Sequence, residues 1–404
     1  MYRLAAFSWG AKLLTALFNF ASIVLLSQLL GEADRGLCAL YALIIALILL
    51  LADMAGGATV VYLMQQFSRK SLRNIYLQWA AAVALLAGGA AGCLAQLTVT
   101  ETILLMAAGY CNAVFSFQGH VLLGMQKFGA FNMSGTVAAA GIALFSYLFI
   151  AIGFGKLGFL LAMLLVWTIA MAAQYFLVIK DAAIEGDSLQ PTSKATLLQT
   201  MLKAGAVNQS VQLVGLINNR LPFFVLPATL LGSFSNSMAL AEALLLLPGS
   251  VGQIFYSQHA GQIPDKSLYR KFFRLLLLLL LAMSGAAVVI SFLPASVYGW
   301  LFGASFNSVG QLLVPLSIGM ISYSIYVALS YWQSSNGKFY KNLWCILLAL
   351  IVTICGAGYY WYFYNNISQI QMAICMAAGL ASAGLFAVLL FGIAWKSTPA
   401  TNGH

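Results

Sequence analysis

The sequence has 404 residues, of which 62% are hydrophobic and only 7% are charged. A water-soluble domain carries about 25% charged residues, so this composition excludes a soluble globular fold. The apolar runs are continuous over ~20 residues, which is the length that a helix needs to cross a bilayer. Membrane barrels instead alternate apolar and polar residues along each strand. We therefore predict an all-α polytopic membrane protein with about twelve transmembrane helices.

Twelve apolar segments follow one another along the chain, separated by polar connections. In chain order they cover about 5–30, 37–66, 75–97, 101–123, 133–153, 157–179, 200–231, 235–258, 272–293, 307–332, 343–364 and 367–395. Most connections are short, but a longer polar stretch lies at the centre of the chain. We predict an N-terminal six-helix bundle over 1–180, a linker over 181–199, a C-terminal six-helix bundle over 200–396 and a tail over 397–404.

The net charge of +10 is distributed unevenly among these connections. The connections on one predicted side of the membrane hold most of the basic residues. Those on the other side hold only Arg35 and Lys156, and Lys12 and Arg220 lie inside predicted helices. Lysine and arginine accumulate in cytoplasmic loops. We therefore predict a bacterial inner-membrane protein whose termini and linker are cytoplasmic, and we expect no nucleic-acid partner. The other 15 of the 19 basic residues form the basic set, which is Arg3, Arg69, Lys70, Arg73, Lys127, Lys180, Lys194, Lys203, Lys266, Arg270, Lys271, Arg274, Lys338, Lys341 and Lys396.

The sequence shows no pattern that is typical of an enzyme. Its three histidines and six cysteines have no metal-ligand spacing, and no Walker A, HExxH, GxSxG or dinucleotide-binding motif occurs in a supporting context. No predicted outer connection is long enough to form a folded catalytic domain. We therefore expect a transporter that has no cofactor and no bound metal.

Four charged residues lie well inside predicted membrane spans rather than near a span end, namely Lys12, Asp53, Arg220 and Glu242. They occupy the first two helices of each half. A charge inside a bilayer is costly, so each is a candidate for function. Two interpretations remain open: the four charges line a cavity, or the two acids are structural ion-pair partners of the two bases. Lys12 can also extend its side chain to the cytoplasmic surface.

Polar residues form stripes on predicted helices 1 and 7. A stripe on one helix face avoids lipid and contacts either other helices or a ligand. Helix 2 also contains the pair Gly56-Gly57 directly after Asp53, which permits a bend or a close helix approach. For a substrate cavity we select Arg220, Lys12, Asn19, Gln209, Gln212 and Asn219. For coupling to H⁺ or Na⁺ we select Asp53 and Glu242.

Three segments carry a resemblance to a known family. Segment 26–40 has the sequence LSQLLGEADRGLCAL, segment 51–58 has the sequence LADMAGGA, and segment 124–128 has a Gly-x-x-Lys-Phe pattern after the fourth predicted helix. Together they resemble polysaccharide exporters of the multidrug/oligosaccharidyl-lipid/polysaccharide (MOP) superfamily, and most closely its Wzx-type O-antigen flippases. The resemblance implies a MATE-like fold of two bundles with six helices each.

The resemblance also implies a substrate, which is an oligosaccharide repeat unit linked through pyrophosphate to undecaprenol. Alternating access would move it to the periplasmic leaflet, in concert with a polysaccharide polymerase and a chain-length regulator. Arg220 and Lys12 suit the pyrophosphate, and the amide side chains suit the sugars. One feature departs from the cationic cavity expected of such flippases, since Asp53 and Glu242 balance the two bases. A multidrug cation antiporter of the same superfamily and a membrane enzyme of glycan assembly remain alternatives.

Overall fold

The structure is a computed structural model that describes residues 2–57, 59–64, 67–182, 193–249, 252, 266–335 and 339–397. Nearly all of these residues are helical, and none of them belongs to a β-strand. Nine helical segments in the described ranges are long and apolar enough to cross a membrane. One of the nine contains two helices joined end to end. The predicted all-α polytopic membrane fold is confirmed.

The described residues form fourteen α-helices, of which seven precede and seven follow residue 221. The first seven are α1 (Tyr2–Ala52), α2 (Thr59–Leu63), α3 (Arg69–Leu94), α4 (Val99–Gly124), α5 (Phe128–Phe149), α6 (Gly155–Ala182) and α7 (Lys194–Arg220). The second seven are α8 (Pro222–Val225), α9 (Ala228–Ala243), α10 (Lys266–Ser291), α11 (Ala295–Phe302), α12 (Val309–Ser335), α13 (Phe339–Tyr364) and α14 (Gln369–Ser397).

Helix α1 contains the first predicted span and the beginning of the second. Its backbone breaks at Gly31, where φ is 72°, and the two parts form separate spans over Gly10–Gly31 and Ala33–Ala55. Glycine has no Cβ and therefore adopts this left-handed region without strain. The break explains why the sequence shows two apolar segments on either side of a polar turn.

The second predicted span, over 37–66, is interrupted beside the Gly56-Gly57 pair. Helix α1 ends at Ala52, a 3₁₀ turn follows over Asp53–Ala55, and only the short helix α2 continues the path. Gly57 has a φ of +59°, which interrupts the regular helix. Gly56 lies so close to the ring of Tyr76 that a Cβ atom there would overlap it. The glycine pair therefore makes the bend that its sequence allowed.

The seventh predicted span, over 200–231, is also interrupted. Helix α7 ends at Arg220, and the residue that follows the short helix α8, Leu226, has an extended backbone. Proline has no amide N–H, and inside a helix it removes a backbone hydrogen bond and favours a kink or a break. Pro222 accordingly begins α8, and Pro227 stands at the N-cap of α9.

The chain divides into two compact units, 1–213 and 214–404, and the division falls inside α7. The first turns of α7 belong to unit 1 because Leu197 and Met201 are buried in its hydrophobic core. Gly205 lies against the backbone carbonyl of Met54, an approach that only glycine permits. Residues 183–192, the middle of the predicted linker 181–199, lie outside the described residues.

Close helix contacts in unit 2 depend on small residues. A Cβ atom on Gly319 of α12 would lie 2.7 Å from the Cα of Ala377 on α14. Gly384 of α14 lies against the backbone carbonyl of Ser322 in the same way. Small residues let helix backbones approach closely, which is the main source of packing energy between helices in lipid. The pair α12 and α14 therefore forms the tightly packed centre of unit 2.

A buried polar cluster joins three helices of unit 1 near the start of α4. Glu101 is 3% exposed and closes a capping box with Thr98, which satisfies amide groups at the helix N-terminus. Its carboxylate also accepts a hydrogen bond from Tyr41 and lies 3.0 Å from the Lys156 ammonium group. Sequence analysis placed Lys156 in a connection and did not find this charge pair.

Candidate functional site

Unit 1 contains a buried carboxylate surrounded by hydroxyl groups. Asp53 is 8% exposed and sits in the turn where α1 ends. Tyr76 donates a hydrogen bond to its Oδ1 atom at 2.9 Å, and Ser116 donates one to its Oδ2 atom at 3.3 Å. Buried charges require such partners, because an unsatisfied carboxylate in an apolar interior is very costly. Hydrogen bonds from neighbouring helices therefore hold the Asp53 carboxylate in place.

The Tyr76 hydroxyl can form a hydrogen bond with Asp53 whether the Asp53 carboxyl is ionised or neutral. Its oxygen lies 2.9 Å from Asp53 Oδ1 and 3.0 Å from the carbonyl oxygen of Ala113. A phenol has one proton to donate but can also accept. It can donate a hydrogen bond to an ionised Asp53, or donate one to the Ala113 carbonyl while accepting one from a neutral Asp53. The Tyr76 ring is fully buried and stacks on Phe117 with ring centroids 4.4 Å apart, which fixes this position.

The polar path continues from Asp53 along α4. His120 lies one turn after Ser116, and its Nδ1 atom is 2.9 Å from the Ser116 carbonyl oxygen. The imidazole is half-buried and lies one turn from the serine whose hydroxyl group binds Asp53. Sequence analysis did not select Tyr76, Ser116 or His120. The signal available was the spacing of four residues between Ser116 and His120, which places both on one face of the helix.

Gln209 joins the Asp53 turn from α7. Its Nε2 atom lies 3.0 Å from the position that a Cβ on Gly57 would occupy, and Gln209 itself is 8% exposed. The same Cβ position is 3.4 Å from the Asp53 Cβ. The structure therefore brings together Asp53 and Gln209, which the sequence assigned to different roles.

The predicted polar stripe of α1 serves packing in part. Thr15 makes a hydrogen bond of 2.9 Å to Thr136 of α5, and Thr136 also donates to the Ala11 carbonyl. Lys12 is half-buried, and Asn19 is exposed. The stripe thus combines interhelical hydrogen bonds with an amide that remains available to a ligand.

Unit 2 contains the second predicted site. The guanidinium group of Arg220 lies in the last turn of α7, where a cation is favoured by the helix dipole. Its Nη2 atom is 3.4 Å from Glu242 Oε2, and its Cζ atom lies 5.9 Å from the centroid of the Phe223 ring. The two charged side chains are 25% and 30% exposed. Of the two predicted interpretations, the ion pair is present for Arg220 and Glu242.

The amide residues next to Arg220 differ in burial. Asn218 is fully buried and accepts a hydrogen bond of 2.8 Å from Thr353 of α13. It also lies 3.4 Å from the side-chain oxygen of the half-buried Asn219. Gln212, two turns earlier, is exposed. Asn218 thus fixes the end of α7, while the neighbouring Asn219 is less buried.

Comparisons with known proteins identify the fold. No family profile matches the sequence, and no curated protein matches it either. Among solved structures, a multidrug resistance MATE family transporter of the MOP superfamily, in an inward-facing conformation, has a TM-score of 0.73. It is 13% identical, and the alignment covers 96% of each chain.

Two further structures agree with this result. A MOP superfamily transporter from Pyrococcus furiosus has a TM-score of 0.63 at 13% identity, over 98% of this chain and 95% of the other. A Vibrio cholerae MATE transporter has a TM-score of 0.66 at 14% identity, over 98% of this chain and 96% of the other. The chain is therefore a multi-pass membrane protein with the fold of MATE transporters of the MOP superfamily.

Proposed function

We propose that this protein is a flippase that moves oligosaccharides linked to undecaprenyl pyrophosphate from the cytoplasmic to the periplasmic leaflet of the inner membrane. The substrates are repeat units of O-antigen or of another surface polysaccharide. The main support is Arg220, which is 25% exposed and lies at the end of α7, where the seventh predicted span is interrupted. A charge in this position is costly in a bilayer and is typical of a site that binds a charged ligand.

The contacts of Arg220 leave capacity for an anion. A guanidinium group has five N–H donors, and among the described residues it makes one hydrogen bond, a long one of 3.4 Å to Glu242. A pyrophosphate accepts paired hydrogen bonds from arginine with better geometry and at shorter distance. Substrate binding would therefore replace the pairing with Glu242. The exposed amides of Gln212 and Asn19 suit hydroxyl groups of a sugar, and Lys12 supplies further positive charge in unit 1.

The first experiment compares a deletion strain complemented with the wild type, with Arg220→Ala or with Arg274→Ala. Arg274 is an exposed arginine on α10 and serves as the matched control. We expect Arg220→Ala to insert normally but to accumulate undecaprenyl-pyrophosphate-linked units, with surface polysaccharide reduced by about 100-fold or more, as for a lost charged contact worth about 3 kcal/mol. Full surface polysaccharide with Arg220→Ala would contradict the assignment of this residue.

A multidrug exporter is the second candidate, because two of the similar structures are described as multidrug resistance MATE family transporters. Such a protein binds amphipathic cations, for which Glu242 and Asp53 would be the attractive groups. In that case the deletion strain would retain its surface polysaccharide and become sensitive to cationic dyes. The same strain therefore separates the two functions.

We further propose that Asp53 couples transport to a proton. The Tyr76 hydroxyl accommodates both protonation states without a change of geometry, and His120 extends the polar path from Ser116. Asp53→Asn should therefore insert normally and remove the dependence of transport on a pH gradient in proteoliposomes, whereas Tyr76→Phe should weaken it. Glu242→Gln is the matched variant in unit 2. Full gradient-driven transport by both Asp53→Asn and Glu242→Gln would exclude a coupling role for these acids. Transport driven by a Na⁺ gradient and not by a pH gradient would show that the coupling ion is Na⁺ and not a proton.

A further inference from the structure

An apolar groove runs between α5 and α6 on the surface of unit 1. It encloses about 350 Å³ and is lined almost entirely by hydrocarbon groups. Two of its side chains, Val137 and Ile169, are 62% and 55% exposed. Five of its twelve lining residues are glycine or alanine, which leave space between the larger apolar side chains. In a membrane protein an exposed apolar groove of this kind faces acyl chains.

The length of the groove matches one leaflet of the bilayer. On α6 its lining extends from Val166 to Leu177, which are eleven residues apart. At 1.5 Å per residue this is ~16 Å, about half of the ~30 Å hydrocarbon core. A single acyl chain of one leaflet fits this length, whereas an undecaprenyl chain is much too long to be enclosed.

Polar groups occur at only one end of the groove. The Nζ atom of Lys127 lies 3.5 Å from the carbonyl oxygen of Leu177, the last groove residue on α6. Gln174 is 1% exposed and donates a hydrogen bond of 2.8 Å to Ser134, which also lines the groove. Arg73 places its guanidinium group 5.4 Å from the ring centroid of Tyr175, at the same end of α6. This is the end that the charge distribution predicts to be cytoplasmic.

We propose that the groove binds one anionic phospholipid of the cytoplasmic leaflet. Its acyl chain lies between α5 and α6, and its phosphate lies beside Lys127. Basic residues between transmembrane helices on the cytoplasmic side are a known mode of binding anionic head groups. The apolar lining provides affinity for the chain, and Lys127 provides the preference for negative charge. The lipid site does not depend on which substrate the transporter carries.

The test measures lipid retention by the purified full-length protein in native mass spectrometry. The probes are phosphatidylglycerol and phosphatidylcholine with identical acyl chains. Ala170→Phe fills the groove, and Ala172→Phe is its matched control, because Ala172 is exposed on the same helix but does not line the groove. We expect Ala170→Phe to reduce bound phosphatidylglycerol by about fivefold or more through lost burial of the chain, and Ala172→Phe to leave it unchanged.

Lys127→Gln tests the head-group contact. It should lower the preference for phosphatidylglycerol over phosphatidylcholine by about fivefold, the effect of one basic residue near an anionic lipid surface. Lys194→Gln, which changes an exposed lysine at the start of α7, should not alter the preference. Equal retention by the two phenylalanine variants would overturn the proposal, as would an unchanged preference with Lys127→Gln. Displacement of the phospholipid by an equal amount of a short polyprenyl phosphate would also overturn it.

Discussion

The Asp53 site of unit 1 and the Arg220 site of unit 2 both lie where the helix of a predicted span is interrupted, but the interruptions are made differently. In unit 1 two glycines bend the chain, and the absence of Cβ atoms lets Tyr76 pack against the turn. In unit 2 a proline ends α7 directly after the charged turn, and the side chain remains 25% exposed. Glycine creates room for neighbours, whereas proline removes a backbone hydrogen bond and its ring displaces the preceding turn.

This difference separates what the two sites can bind. Asp53 is enclosed and its oxygens are already satisfied by hydroxyl groups, so a proton is the ligand that fits without rearrangement. Arg220 has a long ion pair and open surface, so it can exchange its partner for a larger anion. We expect substitutions around Asp53 to reduce stability together with function, and substitutions around Arg220 to reduce function alone.

The largest effect on stability should come from Tyr76→Ala. Its ring is fully buried, and its loss removes both a packed aromatic group and the main partner of Asp53. We expect a decrease of about 3–5 kcal/mol in the free energy of unfolding, measured by denaturant titration in mixed micelles. Phe223→Ala, which removes the ring beside Arg220, is the comparison in unit 2. Because the Phe223 ring is only half-buried, its removal should lower the free energy of unfolding by about half as much as Tyr76→Ala, or less. Equal costs would remove the contrast in packing between the two sites.

Gly57→Ala should have the next largest effect. The residue has a φ of +59°, and its Cβ would lie 3.0 Å from Gln209 Nε2. The strained backbone should decrease the free energy of unfolding by about 1–3 kcal/mol. Gly249→Ala is the matched control, because a Cβ at Gly249 meets nothing within 4 Å. If Gly57→Ala and Gly249→Ala unfold at the same denaturant concentration, the bend at Asp53 does not need glycine.

The fold was largely predictable because the hydrophobic effect acts on segment length and composition. Continuous apolar runs identified the membrane helices, and a bilayer allows few alternatives to a helix. The predicted helix limits differ from the structure in segments 37–66 and 200–231. In both segments the sequence remains hydrophobic through the point where the helix is interrupted. Gly56-Gly57, Pro222 and Pro227 mark these interruptions in the sequence, and hydropathy does not detect backbone geometry.

The candidate sites were predictable only in part. The cost of burying charge selected Asp53, Arg220 and Glu242, because an apolar sequence makes such residues conspicuous. Their partners were harder to find, since Tyr76 and Ser116 are common residue types in membrane helices. They gain a role only through contacts across different helices, which a single sequence does not contain.

The smallest change in stability should come from Glu242→Gln, and it tests the contrast most directly. The pair with Arg220 is long and half-exposed, so its loss should change the free energy of unfolding by about 1 kcal/mol or less. Its effect on binding should have the opposite sign to that of Arg220→Ala, because the guanidinium group no longer has a competing carboxylate. Retention of a soluble polyprenyl pyrophosphate analogue should therefore increase by several-fold in Glu242→Gln, and a loss of more than 3 kcal/mol in stability would show that the pair is structural.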